Sequence, residues 1–267
     1  MENIENIVKL SFLACVVGEF AWSFLLGLGK FNGKEVLCNL GILLGNTLTK
    51  PLAVAWTYFV LSLLAPLKVW ELPANPSMFL LTFILVDFFY YWYHRLSHEI
   101  PIMWTLHHTH HSSLWMNFST AVRLNWLGKF VSPIFYTPLV FLGFSPTFIV
   151  ASLTVNLLMQ FFLHTEVIGK LGWFEGKFLN TPSAHRVHHG SNPEYIDKNY
   201  AGVLIIWDKL FGTYEPEIEK IRYGVTKGFI SHNPFVIQFL PLLRYMQGNF
   251  KREKNLASIN KVILKSD

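Results

Sequence analysis

An all-α bundle that crosses a membrane several times and carries a histidine-rich cytoplasmic cap is the fold class the sequence predicts. Three observations predict it. Of the 267 residues, 52% are hydrophobic and only 15% are charged; the apolar residues gather into long runs; and the 11 histidines, all but His232, gather at the ends of those runs. Soluble domains carry about 25% charged residues, so most of this surface cannot face water. The net charge of +5 comes from basic residues outside the apolar runs, as at a cytoplasmic membrane face beside anionic headgroups. That placement argues against nucleic acid as a partner.

Crossing a hydrocarbon core of about 30 Å takes about 20 mostly apolar helical residues. Residues 7–29 supply the first such run. The preceding MENIENIVKL lacks the basic region and the small-residue cleavage pattern of a signal peptide, so this run is expected to be a retained helix. Residues 36–65 supply a second, long enough to tilt or to break at Lys50–Pro51. Residues 78–97 form a third, starting after LPANP and ending in YYWYHRLSH. Residues 130–166 hold a fourth, with a GFSP turn at 143–146 that suggests a helical hairpin. Segments 98–129 and 167–250 are read as the cap, the latter punctuated by NTPS, GSNPEY and FGTYEPE. With no internal repeat, residues 1–267 are expected to form one membrane-embedded domain. Cys15 and Cys38 do not make a disulfide framework.

If the spans alternate, Lys30, Lys34, Arg95, Arg123, Lys129 and the C-terminal third fall on one side, with Lys9 and Lys68 opposite. The positive-inside rule then puts every histidine group at the cytoplasmic surface. The expected location is the inner membrane of a bacterium or the endoplasmic reticulum of a eukaryote.

In a helix, residues three or four apart share a face. His94 and His98 are four apart; His107, His110 and His111 stand at 0, 3 and 4, and His185, His188 and His189 repeat that spacing. Each group can aim two or three imidazoles at one point, and neutral imidazole suits iron, zinc and copper. Together with His164 these make nine candidate ligands, too many for one metal and a natural count for two. A lone HxxxH would read as an ordinary surface or core pair; one HxxxH and two HxxHH in an apolar chain read as ligands. His108 breaks the spacing, and His232 is isolated and read as structural.

Ligating histidines usually donate their second ring nitrogen to an oxygen. Asp87, seven and eleven residues before His94 and His98, is expected to accept such a ring N–H, because a carboxylate in an apolar span needs a partner. Asp197, Asn199 and Asp208 are further candidates. Glu19, inside the first apolar run, is read either as a partner of Lys9 or as reaching the interface. Thiolates are absent from the clusters, which excludes an iron–sulfur site. Two metals could also hydrolyse an ester or peptide, but carboxylate ligands would then be usual and no HExxH is present. An all-nitrogen diiron site can activate dioxygen and attack an unactivated C–H bond of a lipid arriving from the bilayer. A histidine-lined metal transporter or sensor is the non-enzymatic alternative; a transporter would want its ligands strung along a path.

HRLSH, HHTHH and HRVHH resemble, in order, the histidine boxes of the fatty acid hydroxylase and sterol desaturase superfamily of membrane diiron enzymes. Within it, VDFFYYWYHRLSHEIPIMWTLHHTHHSS, QFFLHTEVIG and NTPSAHRVHHGSNPEY are similar to the branch that oxidises alkylglycerols. The resemblance implies two iron ions, dioxygen as co-substrate, tetrahydrobiopterin as electron donor, and hydroxylation of the carbon beside an ether oxygen. It also implies a pterin-linked role for Glu99. Gln160 occupies the first slot of the third box where the acyl-hydroxylating branch has a histidine, a departure shared with the alkylglycerol branch. A sterol or fatty acyl desaturase or hydroxylase is the sibling alternative.

Overall fold

The computed structural model describes residues 2–226 and 228–249, with the side chains of residues 2–5, 8 and 9 left aside. The described residues are helical, with one isolated bridge between Leu179 and Leu204 and no strand. Helices α1 (Glu2–Leu25), α2 (Gly33–Leu64) and α3 (Pro76–Glu99) are long and apolar. Of these, α2 with its short continuation to Leu67, and α3, are long and apolar enough to cross a membrane. The outward side of α2 is greasy: Leu48 is 72% and Leu52 65% exposed. Such a stripe is unfavourable in water and ordinary in lipid.

Local chemistry sets the helix starts. Asn32 caps α2 by accepting from the Lys34 and Glu35 N–H groups, and Asn75 caps α3 from Met78, with Pro76 in the first helical position. Of the two options open to the second run, a tilt or a break at Lys50–Pro51, the break does not occur, since α2 runs through Pro51. Lys129 reaches across to Asn46 Oδ1 at 2.8 Å and Thr49 Oγ1 at 2.7 Å, bracing the turn just before the proline. A sharp bend follows α3 at Ile100, held extended at φ −93° and ψ 118°. Pro101 disfavours the helical region for the residue before it and opens α4 (Pro101–His111). This one bend folds α4 back against α3.

The expected hairpin over 130–166 needs correction in its first arm. That stretch holds only α5 (Gly128–Val131), a 3-10 turn (Ser132–Tyr136) and α6 (Thr137–Phe141), because Pro133 and Pro138 interrupt the ladder. The turn itself is as expected: Gly143 sits at φ +95°, where a Cβ would lie 2.1 Å from the Trp70 carbonyl oxygen. The second arm is α7 (Pro146–Phe161). It packs along α3, and Leu61, Val86, Tyr136, Leu139, Val140, Phe144 and Ile149 form the apolar core among α2, α3, α6 and α7. Three short helices complete the fold: α8 (Pro182–His188), α9 (Ile206–Leu210) and α10 (Pro234–Met246).

Arg123, counted from sequence as a loop charge, is buried. It lies 2.9 Å from Glu35 Oε1 and donates to Asn39 Oδ1 at 2.8 Å and Ser112 Oγ at 2.7 Å, tying α2 to the end of α4. His232 lies 3.3 Å from the same Glu35 carboxylate, a structural place as expected.

Candidate metal centre

Four segments deliver imidazoles to one end of the bundle. The inward face of α3 carries Asp87, Tyr91, His94 and His98 at helical spacing, all buried. The Ile100 bend then presents His107, His110 and His111 of α4. His164 follows the end of α7. Thr181, accepting from the Ala184 N–H, starts α8, and its single turn places His185, His188 and His189.

All nine candidate ligands meet, in two groups. His94, His98, His107, His111 and His188 form one, and His110, His164, His185 and His189 the other; within each, one ring nitrogen per residue lies within 4.8 Å of the rest. The groups adjoin, with the His111 ring stacked 4.4 Å from that of His189. Thus the 0, 3, 4 pattern is split: in α4, positions 0 and 4 serve one group and position 3 the other, while in α8 the middle histidine separates from its neighbours.

The donor set fits cations. His164 Nδ1 donates to the Gln160 carbonyl at 2.9 Å and His188 Nδ1 to the Lys198 carbonyl at 3.0 Å. A carbonyl only accepts, so these contacts fix the tautomer and leave the lone pair on Nε2. Burial pushes the imidazoles of His107, His110, His111, His185, His188 and His189 well below their ordinary value, with neighbouring rings adding to the effect. Burial likewise brings His164 down to about 4. Neutral rings therefore point lone pairs at one another: His164 Nε2 lies 3.0 Å from His185 Nε2 and 3.2 Å from His110 Nε2. His94, with Nδ1 2.7 Å from the Tyr200 carbonyl, faces His107 Nε2 at 3.0 Å. The Nε2 atoms of His188 and His189 are buried with no hydrogen-bond partner. Converging lone pairs repel unless a positive ion lies between them, and an all-imidazole set suits iron, copper, zinc or nickel. A cavity of about 30 Å³, bordered by His98, His111, His188, Trp104 and Asp197, is the size of a single water molecule and opens toward the surface.

His108 points the other way and accepts from the Phe229 N–H at 3.2 Å. Replacing it by alanine is expected to leave bound metal unchanged by elemental analysis while lowering the melting temperature, since a buried N–H loses its acceptor at about 1–3 kcal/mol.

Asp87 does not hold an imidazole, correcting the sequence expectation. Its carboxylate accepts from Val203 N (2.8 Å), Leu204 N (2.9 Å), Trp207 Nε1 (2.9 Å) and Asn156 Nδ2 (2.5 Å). Asn156 in turn accepts from Gln160 Nε2, and Gln160 Oε1 accepts from Tyr90. Gln160 is thus a strut, not a ligand. Asp208 also meets no histidine. It accepts from the Tyr200 and Ala201 N–H groups and from Thr213, and burial raises its carboxyl to about 6. Through Tyr200 it sits one peptide from the carbonyl that orients His94. Asn199 bridges Ala184 and Glu215 carbonyls. Asp197 lies 3.7 Å from His98 Nδ1, the one acidic candidate beside a ring. Glu99, at the exposed rim, pairs with Arg95 at 2.8 Å. Glu19 accepts from Phe118 N and Thr165 Oγ1, anchoring α1 beside His164; the side chain of Lys9 lies outside the described residues.

Sequence reasoning missed Asn156, although an amide in an apolar helix is the same signal that singled out Asp87. It also missed the carbonyls of Gln160, Lys198 and Tyr200, for which a sequence carries no signal.

The pattern of the Fatty acid hydroxylase family matches residues 79–213, which contain all nine histidines. The chain is 52% identical to alkylglycerol monooxygenase of Homo sapiens over 173 residues, covering 64% of this chain and 38% of that protein. It is 51% identical to alkylglycerol monooxygenase of Xenopus tropicalis over 169 residues, covering 63% and 37%. With an ornithine lipid hydroxylase of Rhizobium tropici it shares 31% identity over 158 residues, covering 55% and 46%. The matched region spans 37–46% of the length of these relatives. No solved structure matches the chain.

Proposed function

Because the chain belongs to the fatty acid hydroxylase family, we propose that it is a membrane diiron oxygenase that hydroxylates a lipid C–H bond, the ether-linked carbon of an alkylglycerol. The observation that carries this reading is the sorting of nine histidines, eight of them buried and His107 half-buried, into adjoining groups of five and four. His94, His98, His107, His111 and His188 would hold one iron, and His110, His164, His185 and His189 the other. The bound pair would supply the activation of dioxygen. One oxygen atom enters the C–H bond and the other leaves as water, with two electrons and two protons from tetrahydrobiopterin. The resulting hemiacetal falls apart to a fatty aldehyde and glycerol.

The chain's own part is to keep the imidazoles neutral and oriented. The carbonyls of Tyr200, Gln160 and Lys198 hold ring protons away from the centre, and burial keeps bulk water out. Trp104, with its ring 5.2 Å from that of His98 and 5.6 Å from that of His111, walls the small cavity. The pterin would approach from the exposed rim at Glu99. A transporter would string its ligands along a path, whereas these nine form one compact centre.

In this reading the whole of 1–267 is a single multi-pass domain with the centre on the cytoplasmic side. Lys68, at the α2–α3 connection, marks the opposite face, and Lys30, paired with Glu166 at 2.6 Å, marks the histidine end. Feeding labelled alkylglycerol and tetrahydrobiopterin to the purified protein is expected to release a labelled fatty aldehyde. Failure there, with oxidation of a sterol or an acyl chain instead, would transfer the assignment to the sibling activity.

A further inference from the structure

Asp208 is fully buried and touches no histidine, yet one peptide group joins it to the metal centre. The carbonyl of the Tyr200–Ala201 peptide accepts from His94 Nδ1 at 2.7 Å, and the N–H of that same peptide donates to Asp208 Oδ2 at 2.8 Å. Asp208 Oδ1 accepts from the Tyr200 N–H and from the Thr213 hydroxyl, both at 2.7 Å. Burial brings the carboxyl only to about 6, so at neutral pH and above it carries a negative charge. A charge that draws on an amide proton makes the carbonyl of that amide a stronger acceptor, because hydrogen bonds in series polarise one another. The stronger acceptor draws in turn on the ring proton of His94. More electron density is then left on Nε2, the atom that faces His107 within the group of five.

The other carbonyl-held rings lack such a charge behind them. The Lys198 carbonyl that orients His188 belongs to a peptide whose N–H, that of Asn199, donates to the Thr213 carbonyl at 3.0 Å. The Gln160 carbonyl that orients His164 lies in the last turn of α7, where peptides pair with other peptides. Asp197, 3.7 Å from His98 Nδ1, adds a second negative charge beside the group of five.

A second series of hydrogen bonds reaches Asp208 from the rim. Thr213 donates its only hydroxyl proton to Asp208, so its 3.0 Å contact with Tyr91 Oη is donated by Tyr91. Arg95 Nη1 donates to Tyr91 Oη at 3.2 Å, and Arg95 Nε to Glu99 at 2.8 Å. Every donor from Arg95 inward points toward the carboxylate. The cation at the outer end therefore competes with the Ala201 N–H for the same negative charge.

We infer that Asp208 is a positioning residue that acts on His94 through the Tyr200–Ala201 peptide and makes the group of five the more electron-rich, more easily oxidised of the two sites. The inference rests on the diiron reading and adds how its two sites differ.

The test uses the full chain loaded with Mössbauer-active iron, whose reduced pair gives one quadrupole doublet per site. Asp208→Asn keeps the shape, removes the charge and sets an amide nitrogen against one backbone N–H. At saturating iron this variant is expected to hold as much metal as the parent, with one doublet displaced and the other unmoved. Competition with a chelator should show about ten-fold weaker binding at the displaced site. The preference of that iron for the ferric state should fall about ten-fold, which raises its one-electron midpoint potential by about 59 mV. Tyr91→Phe cuts the link to Arg95 and leaves more of the charge to the peptide, so it should shift the same potential by a smaller amount in the opposite direction. A merely structural Asp208 would give a lower melting temperature with both doublets and the potential unmoved, or shifts of the same sign in both variants; either result overturns the inference. If Asp208→Asn fails to accumulate, Tyr91→Phe decides alone: a lowered potential supports the inference, and an unmoved or raised one overturns it. A parent chain that holds no pair of irons would overturn the diiron reading and this inference together.

Discussion

Replacing His188 or His110 by alanine is expected to abolish oxygenase turnover while leaving the chain folded in the membrane. The two residues test the two groups separately, since His188 belongs to the group of five and His110 to the group of four. Removing either leaves one cation short of a ligand and frees space for water in a site whose neutrality depends on burial. Enzymes commonly exceed the uncatalysed rate by 10⁶-fold or more, so losing the loaded pair should take activity below about a thousandth of the parent. Elemental analysis should find about two irons per parent chain and close to one in each variant. His108→Ala, in the same helix but facing Phe229, is the matched control. Full activity in both His188→Ala and His110→Ala would sink the shared-site proposal.

The second large effect is expected at Asp87, and it concerns stability. Asp87→Ala strips the acceptor from four buried donors, on Val203, Leu204, Trp207 and Asn156. An unsatisfied buried donor costs about 1–3 kcal/mol, and folded proteins hold only about 5–15 kcal/mol in reserve. The variant should therefore accumulate poorly and melt well below the parent. Whatever folds should also bind metal more weakly, by about ten-fold or more. The reason is that the carboxylate pins the turn bearing the Tyr200 carbonyl and, through Asn156 and Gln160, the end of α7 that orients His164. Thermal unfolding in detergent with metal analysis of the folded fraction measures both quantities. An unchanged melting temperature with unchanged metal content would mean that Asp87 is not this keystone.

The sequence by itself determined the helical class, the apolar stretches and the full set of clustered histidines. Those properties are local: hydrophobic run length reports what a helix can bury in lipid, and spacings of three and four report a shared face. It could also separate His108 and His232 from the rest, because both break the spacing. Only the tertiary structure decided how the nine divide. The split of His107 and His111 from His110 depends on the angle between α3 and α4, set at the Ile100 bend, and on where α8 docks. It likewise decided the fate of Asp87, Asp208 and Arg123. A carboxylate in an apolar span announces that it has partners, but which donors arrive depends on a turn more than a hundred residues away. The carbonyls that fix the ring tautomers were invisible for a similar reason, since every residue has one and only the fold aims it.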